Sequence, residues 1–200
     1  MNTGRLIARG VIGGLFVGHG LQKLTGQFDG PGIEGTKGMM DSLEMRPATA
    51  HAYAAGVTET AGGALLALGA ATPLAASSLI GVMITAIRKV HAKNGPWNSQ
   101  QGYEYNLVLI AALMAIVDGG PGPVSIDKLR GKAAHGFPAM LGALGLGAAA
   151  STIAIELGRR GRPRQIDLTH HESEQPQEHQ QAMPTEAASP PPMPPTPPAT

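Results

Sequence analysis

Eight residues of this 200-residue chain combine reactive side chains with apolar surroundings: Arg9, His19, Lys23, Glu59, Arg88, His91, Glu104 and Tyr105. Glu59 is the most conspicuous, because it is the only formal charge in the forty residues from Ala48 to Ile87. A carboxylate within an apolar run is costly unless it is paired or put to use. It can be structural glue, ion-paired to an arginine, or an acid that moves protons or holds a ligand. Arg9 lies ten residues before His19, and Glu59 lies about ten residues into the next long apolar segment. An antiparallel hairpin would bring the two to similar depth, so Arg9 is the expected partner of Glu59, with Arg88 as second candidate.

The remaining residues cluster near segment ends. His19 and Lys23 close the first apolar segment, Arg88 and His91 close the third, and Glu104 and Tyr105 open the fourth. In an up-and-down bundle these ends share one side, the side Glu59 also approaches. Ionisable groups at one end of an apolar bundle suit a quinone ring, another carbonyl compound or an anion. His19 and His91 could in principle bracket a haem, but two helix-end histidines more commonly make interfacial hydrogen bonds. No metal site is expected: His170, His171 and His179 lie in a Pro-rich tail, which is a poor cage.

These residues must be positioned by apolar helices. Hydrophobic residues make up 42% of the chain and charged residues only 14%, with no charge at all from Ala133 to Ile155. A bilayer core needs roughly 20 apolar residues per helix. Five segments qualify or nearly so: Leu6–Leu21, about Ala50–Ala71, Pro73 to about Val90, Tyr105–Val117, and about Phe137–Leu157. Thr72-Pro73 divides the forty-residue run, since Pro suits the first turn of a helix. The fourth segment is short and reaches spanning length only if it starts within Tyr103-Glu104-Tyr105, an aromatic anchor at headgroup level. Leu6–Leu21 has the basic start of a secretory signal but no A-x-A-like cleavage site, and reads as a retained first helix.

The absence of cysteine excludes disulfides, thiolate nucleophiles, Cys-ligated zinc, iron–sulfur clusters and covalently attached haem. The charges nearly cancel at +1, so no nucleic-acid partner is implied. Ten of the 17 prolines follow residue 160, after the basic stop Arg159, Arg160, Arg162 and Arg164. Such a tail is expected to be disordered and partly polyproline II. With five spans, ten of the 15 Lys and Arg residues fall on the face that carries the tail, which predicts a cytoplasmic tail. If the fifth segment does not span, the balance reverses to six against nine.

The motifs Arg9…Gly18-His19-Gly20-x-x-Lys23-Leu24, Gly38-Met39, Gly56…Glu59…Gly62-Gly63…Leu68-Gly69 and Thr72-Pro73-Leu74-Ala75 resemble the DoxX family of small membrane proteins. Arg88…His91…Asn94-Gly95, Gly102-Tyr103-Glu104-Tyr105-Asn106-Leu107 and Gly120-Pro121-Gly122…Ser125-Ile126-Asp127 continue the resemblance, which covers about residues 5–130 in order. The resemblance implies an all-α, four-helix integral membrane core and the eight site residues named above. The fifth segment and the tail fall outside the pattern. The expected organisation is therefore a DoxX-like domain over residues 1–130, an additional transmembrane helix over 131–160, and a disordered tail over 161–200.

DoxX proteins are similar to DoxD, a membrane subunit linked to thiosulfate:quinone oxidoreduction, and are associated with oxidoreductase complexes and oxidative-stress protection. The implied function is a quinone-proximal or accessory subunit of such a complex in the plasma membrane, with Glu59 and His19 handling protons or quinone carbonyls. Catalysis, if any, belongs to the complex. Quinone is the one cofactor implied. The implied partners are the lipid bilayer, membrane or soluble oxidoreductases, and a second copy of the chain. Two other readings stand beside it: a scaffold that recruits a soluble partner through its tail, and a small-solute transporter.

Overall fold

The computed structural model describes residues 3–161, and helix is the only regular structure among them. The Pro-rich tail, with its expected disorder and its histidines, lies outside the described residues.

Each apolar segment forms a helix. The first is α1 (Thr3–Thr25), the second α3 (Ala48–Leu68) and the third α4 (Thr72–Ala86), which continues through a π-helical turn, Ile87–His91, and a short 3-10 turn, Ala92–Asn94. The fourth segment is α5 (Glu104–Gly119) and the fifth α7 (Phe137–Arg160). The hairpin divides where Thr72-Pro73 predicts. Gly69 closes α3 in the left-handed region, at φ 63°, a conformation that favours glycine. The start of α5 falls within the Tyr103-Glu104-Tyr105 triplet, as expected.

Two elements were not anticipated. Helix α2 (Gly32–Ser42) fills the first long loop, burying Thr36 and Met40, and α6 (Ile126–Leu129) is a single turn capped by Ser125, whose Oγ accepts from the Lys128 N–H at 3.2 Å. The spacing Ile33, Thr36, Met40 is a helical stripe. Its Gly-rich context masks it.

Antiparallel α1 and α3 pack closely because glycines remove the side chains between them. A Cβ on Gly63 would lie 2.6 Å from the Gly13 carbonyl oxygen, and one on Gly13 would lie 2.5 Å from that of Gly63. Helices α4 and α7 run parallel along a second small-residue seam. Gly147 meets Ser77 and Ile80, Gly81 meets Gly147, and Thr85 Oγ1 donates to Ser151 Oγ at 2.9 Å. The main core joins Phe16 of α1 and Leu66 of α3 to Leu79 and Ile80 of α4, Leu113 and Val117 of α5, and Ala143 of α7. A smaller cluster of Met40, Met45, Ala52 and Ile155 fixes α2, the start of α3 and the end of α7 together. There the Arg46 N–H donates to the Gly158 carbonyl at 3.2 Å.

One end of the bundle thus gathers the C-terminal ends of α1, α4 and α7 with the N-terminal ends of α3 and α5. The opposite end gathers the start of α1, the α3–α4 hairpin and the segment 119–136.

Candidate functional site

The two ends hold different charge centres. At the first, Lys23 Nζ lies 2.6 Å from Glu59 Oε2; the Glu59 side chain is 4% exposed and that of Lys23 21%. The backbone sets this pair. Gly20 packs against Gly56 and Thr60, so the α1–α3 register places Lys23 one turn further along α1 and Glu59 one turn further along α3. Helical side chains lean toward their own N-terminus. In an antiparallel pair, Lys23 leans back along α1 and Glu59 leans back along α3, and the two converge.

The same rule excludes the expected Arg9–Glu59 pair. Arg9 sits at the level of Gly69, where a Cβ on that glycine would collide with the guanidinium. It is ten residues, about 15 Å of helix rise, from the position opposite Glu59, and it leans the other way. Counting residues from the shared loop failed because α1 runs on to Thr25, while α3 begins at Ala48 behind the inserted α2. Arg88 is not the partner either. Its Nη1 donates to Thr152 Oγ1 at 3.1 Å. Among the described residues the ion-pair partner of Glu59 is Lys23.

Around this pair, His19 is exposed and lies one turn before Lys23 on α1, its Nδ1 3.0 Å from Gln22 Oε1. Gln22 Nε2 donates to the Phe28 carbonyl at 3.2 Å, and Thr36 Oγ1 of α2 donates to the Lys23 carbonyl at 3.1 Å, so α2 is tied to the end of α1. His91 Nδ1 lies 2.7 Å from the Gln101 carbonyl oxygen, which also accepts from Asn94 Nδ2 at 3.2 Å. The Glu104 N–H donates to the Pro96 carbonyl at 2.8 Å, and Tyr105 is exposed. Lys23, Glu59 and His19 therefore form one neighbourhood. Arg88, His91, Glu104 and Tyr105 share that end of the bundle, with Arg88 bonded to Thr152 of α7 and His91 to the Gln101 carbonyl, and Arg9 belongs to the opposite end.

At that opposite end Arg9 is 1% exposed. Its Nη1 donates to the Pro121 carbonyl, and its Nη2 donates to the carbonyls of Val124 at 2.7 Å and Ala67 at 3.5 Å. Its Nε and the hydroxyl of buried Thr72 have no hydrogen-bond partner. Nearby, buried Asp127 accepts from the N–H groups of Ala71 at 2.7 Å and Thr72 at 2.8 Å, while its own N–H donates to the Gly69 carbonyl at 2.9 Å. The carboxylate caps the first turn of α4, where unpaired N–H groups and the helix dipole favour negative charge.

Asp127 is a buried polar group outside the eight residues singled out from the sequence, although the motif Gly120-Pro121-Gly122…Ser125-Ile126-Asp127 contains it. Buried Asn106, whose Nδ2 donates to Met83 Sδ at 3.4 Å, is another.

The apolar surface of the bundle faces outward. Thr72–Asn94 and Phe137–Arg160 are each long and apolar enough to cross a membrane, and the most apolar windows of the two are only 39% and 22% buried. The core helix of a soluble protein would be mostly covered. Ile7, Val11, Leu74, Val108, Leu146 and Ile153 are each more than half exposed, an extent that soluble monomers rarely leave to water. Among the described residues the chain is all-helical, with a buried charge centre at each end and two helices of membrane-spanning length and hydropathy, consistent with a membrane protein. Residues 4–92, from α1 into the α4 extension, match the family model DoxX. The match includes Arg9, His19, Lys23, Glu59, Arg88 and His91 and stops short of Glu104, Tyr105 and Asp127. No curated protein and no solved structure matches the chain.

Proposed function

We propose that this DoxX-like protein is a quinone-proximal accessory subunit of a membrane oxidoreductase, with the Lys23–Glu59 pair as its proton-handling and ligand-binding group. In this reading all five apolar helices cross the plasma membrane, and the Lys23 end is cytoplasmic. The observation that carries it is the form of the pair: a buried carboxylate held at 2.6 Å by one flexible ammonium that reaches the surface.

The donor set suits a ring carbonyl. Lys23 Nζ and His19 can donate, Glu59 can accept or release a proton, and the bundle beneath supplies an apolar wall. A bound quinone would supply the electron-accepting chemistry, with electrons delivered by a partner redox subunit. The residues of this chain would hold the ring carbonyl through Lys23, exchange a proton at Glu59 Oε2, and limit water entry through α2.

Solvent extraction of the detergent-purified protein, followed by chromatographic quinone analysis, tests the reading. Quinone should be recovered with the wild-type protein. Glu59→Gln and Lys23→Met should each lower recovery about tenfold, the value of one charge-assisted hydrogen bond, without changing the elution volume. Recovery at the level of bulk lipid contamination, unaffected by either substitution, would reject it.

A further inference from the structure

We propose that the surface where the C-terminal ends of α4 and α7 meet binds the headgroup of an anionic phospholipid. This rests on the membrane placement of the bundle and is independent of the quinone reading. Arg88 lies on the π-helical turn that ends α4, and its bond to Thr152 draws the guanidinium across onto α7. Thr152, Glu156 and Arg159 follow one another at helical spacing along α7, so Arg159 continues the stripe that Arg88 touches. Lys89 and Lys93 belong to the same end of the α4 extension.

The cations of this surface are unbalanced. Elsewhere at this end Lys23 has Glu59, Lys37 has Glu34 at 2.7 Å and Arg46 has Asp41 at 3.6 Å. Here the acid in the stripe, Glu156, is engaged by Arg160 at 3.0 Å. Arg88, Lys89, Lys93 and Arg159 have no acidic partner within ion-pair distance among the described residues. The two helix C-termini offset about half a charge each, too little for four cations.

A lipid fits better than a free anion. The two helices that end here, Thr72–Asn94 and Phe137–Arg160, are the two with membrane-spanning length and hydropathy, so the cations emerge at headgroup level. Ile153 and Leu157, both more than half exposed on the same turns of α7, offer apolar surface to acyl chains, and the exposed Trp97 lies in the loop that follows α4. Basic clusters between helix ends at a membrane interface attract anionic headgroups in this way.

The test uses the full chain in detergent, incubated with phosphatidylglycerol or phosphatidylcholine, with bound lipid counted by native mass spectrometry. Phosphatidylglycerol should be retained selectively, and its retention should fall on raising the salt from low to high concentration. Each of Arg88→Gln, Lys89→Gln and Arg159→Gln should weaken retention about fivefold. Lys128→Gln and Arg130→Gln, at the opposite end, should leave retention unchanged. Equal retention of the two lipids would overturn the proposal, as would equal sensitivity to substitutions at either end. Displacement by millimolar inorganic phosphate would also overturn it, by making the site one for a free anion.

Discussion

The Arg9–Asp127 centre and the Lys23–Glu59 centre each combine one cation with one buried carboxylate, yet they are built for different work. At the first end nearly every charged atom is bonded to backbone: Arg9 to the carbonyls of Pro121, Val124 and Ala67, Asp127 to the N–H groups of Ala71 and Thr72. These bonds fasten α1, the α3–α4 hairpin and the segment 119–136 to one another, and neither group is free to exchange partners. At the other end the two side chains bond to each other, and the lysine is partly exposed. Charges satisfied by backbone staple a fold. Charges satisfied only by each other can be separated by a ligand or a proton.

The largest effect is expected from Arg9→Met. It strands three carbonyls and removes the cation near Asp127, a loss of several kcal/mol at about 1–3 kcal/mol for each buried polar group left unsatisfied. Thermal unfolding in detergent should show a large drop, and Arg9→Lys should recover only part of it, because a point charge cannot bridge separate carbonyls. Unchanged melting of Arg9→Met would break the comparison at its firmer side.

The next effect is an asymmetry within the other pair. Lys23→Met leaves the buried Glu59 carboxylate alone and should cost about 2–3 kcal/mol, reduced from the fully buried case because solvent reaches the lysine. Glu59→Gln leaves a lysine that can turn to water, and should cost about 1 kcal/mol or less. Measured side by side, equal losses would mean that the two groups are equally locked, contrary to the contrast drawn between the ends. Thr85→Val supplies a yardstick. It removes a neutral interhelical bond to Ser151 and should cost about 0.6 kcal/mol, the average for such bonds in membranes. A Glu59→Gln effect no larger than this would identify the pair as dispensable for folding and thus available for chemistry.

Much of the architecture was legible because it depends on local properties. Charge-free length gave five helical segments, Pro73 marked the start of α4, and the Tyr103-Glu104-Tyr105 triplet marked the start of α5. The convergence of Lys23, Arg88, His91 and Glu104 at one end followed from helix order alone. Helix α2 was obscured because its buried stripe, Thr36 and Met40, is short and interrupted by glycines. Asp127 was overlooked because its value lies in an N-terminal turn 55 residues away, at Thr72.

The sequence by itself determined which segments are apolar helices, where they break, and that Lys23, Arg88, His91 and Glu104 approach one end of the bundle. These follow from hydropathy, turn chemistry and chain direction. The partner of Glu59 was decided only in the tertiary structure. It depends on how far α1 and α3 overlap, which the Gly13–Gly63 and Gly20–Gly56 contacts fix, and on the lean of each side chain toward its own N-terminus. A shift of a few residues in that overlap exchanges one cation for another, and residue counting along the chain does not measure it.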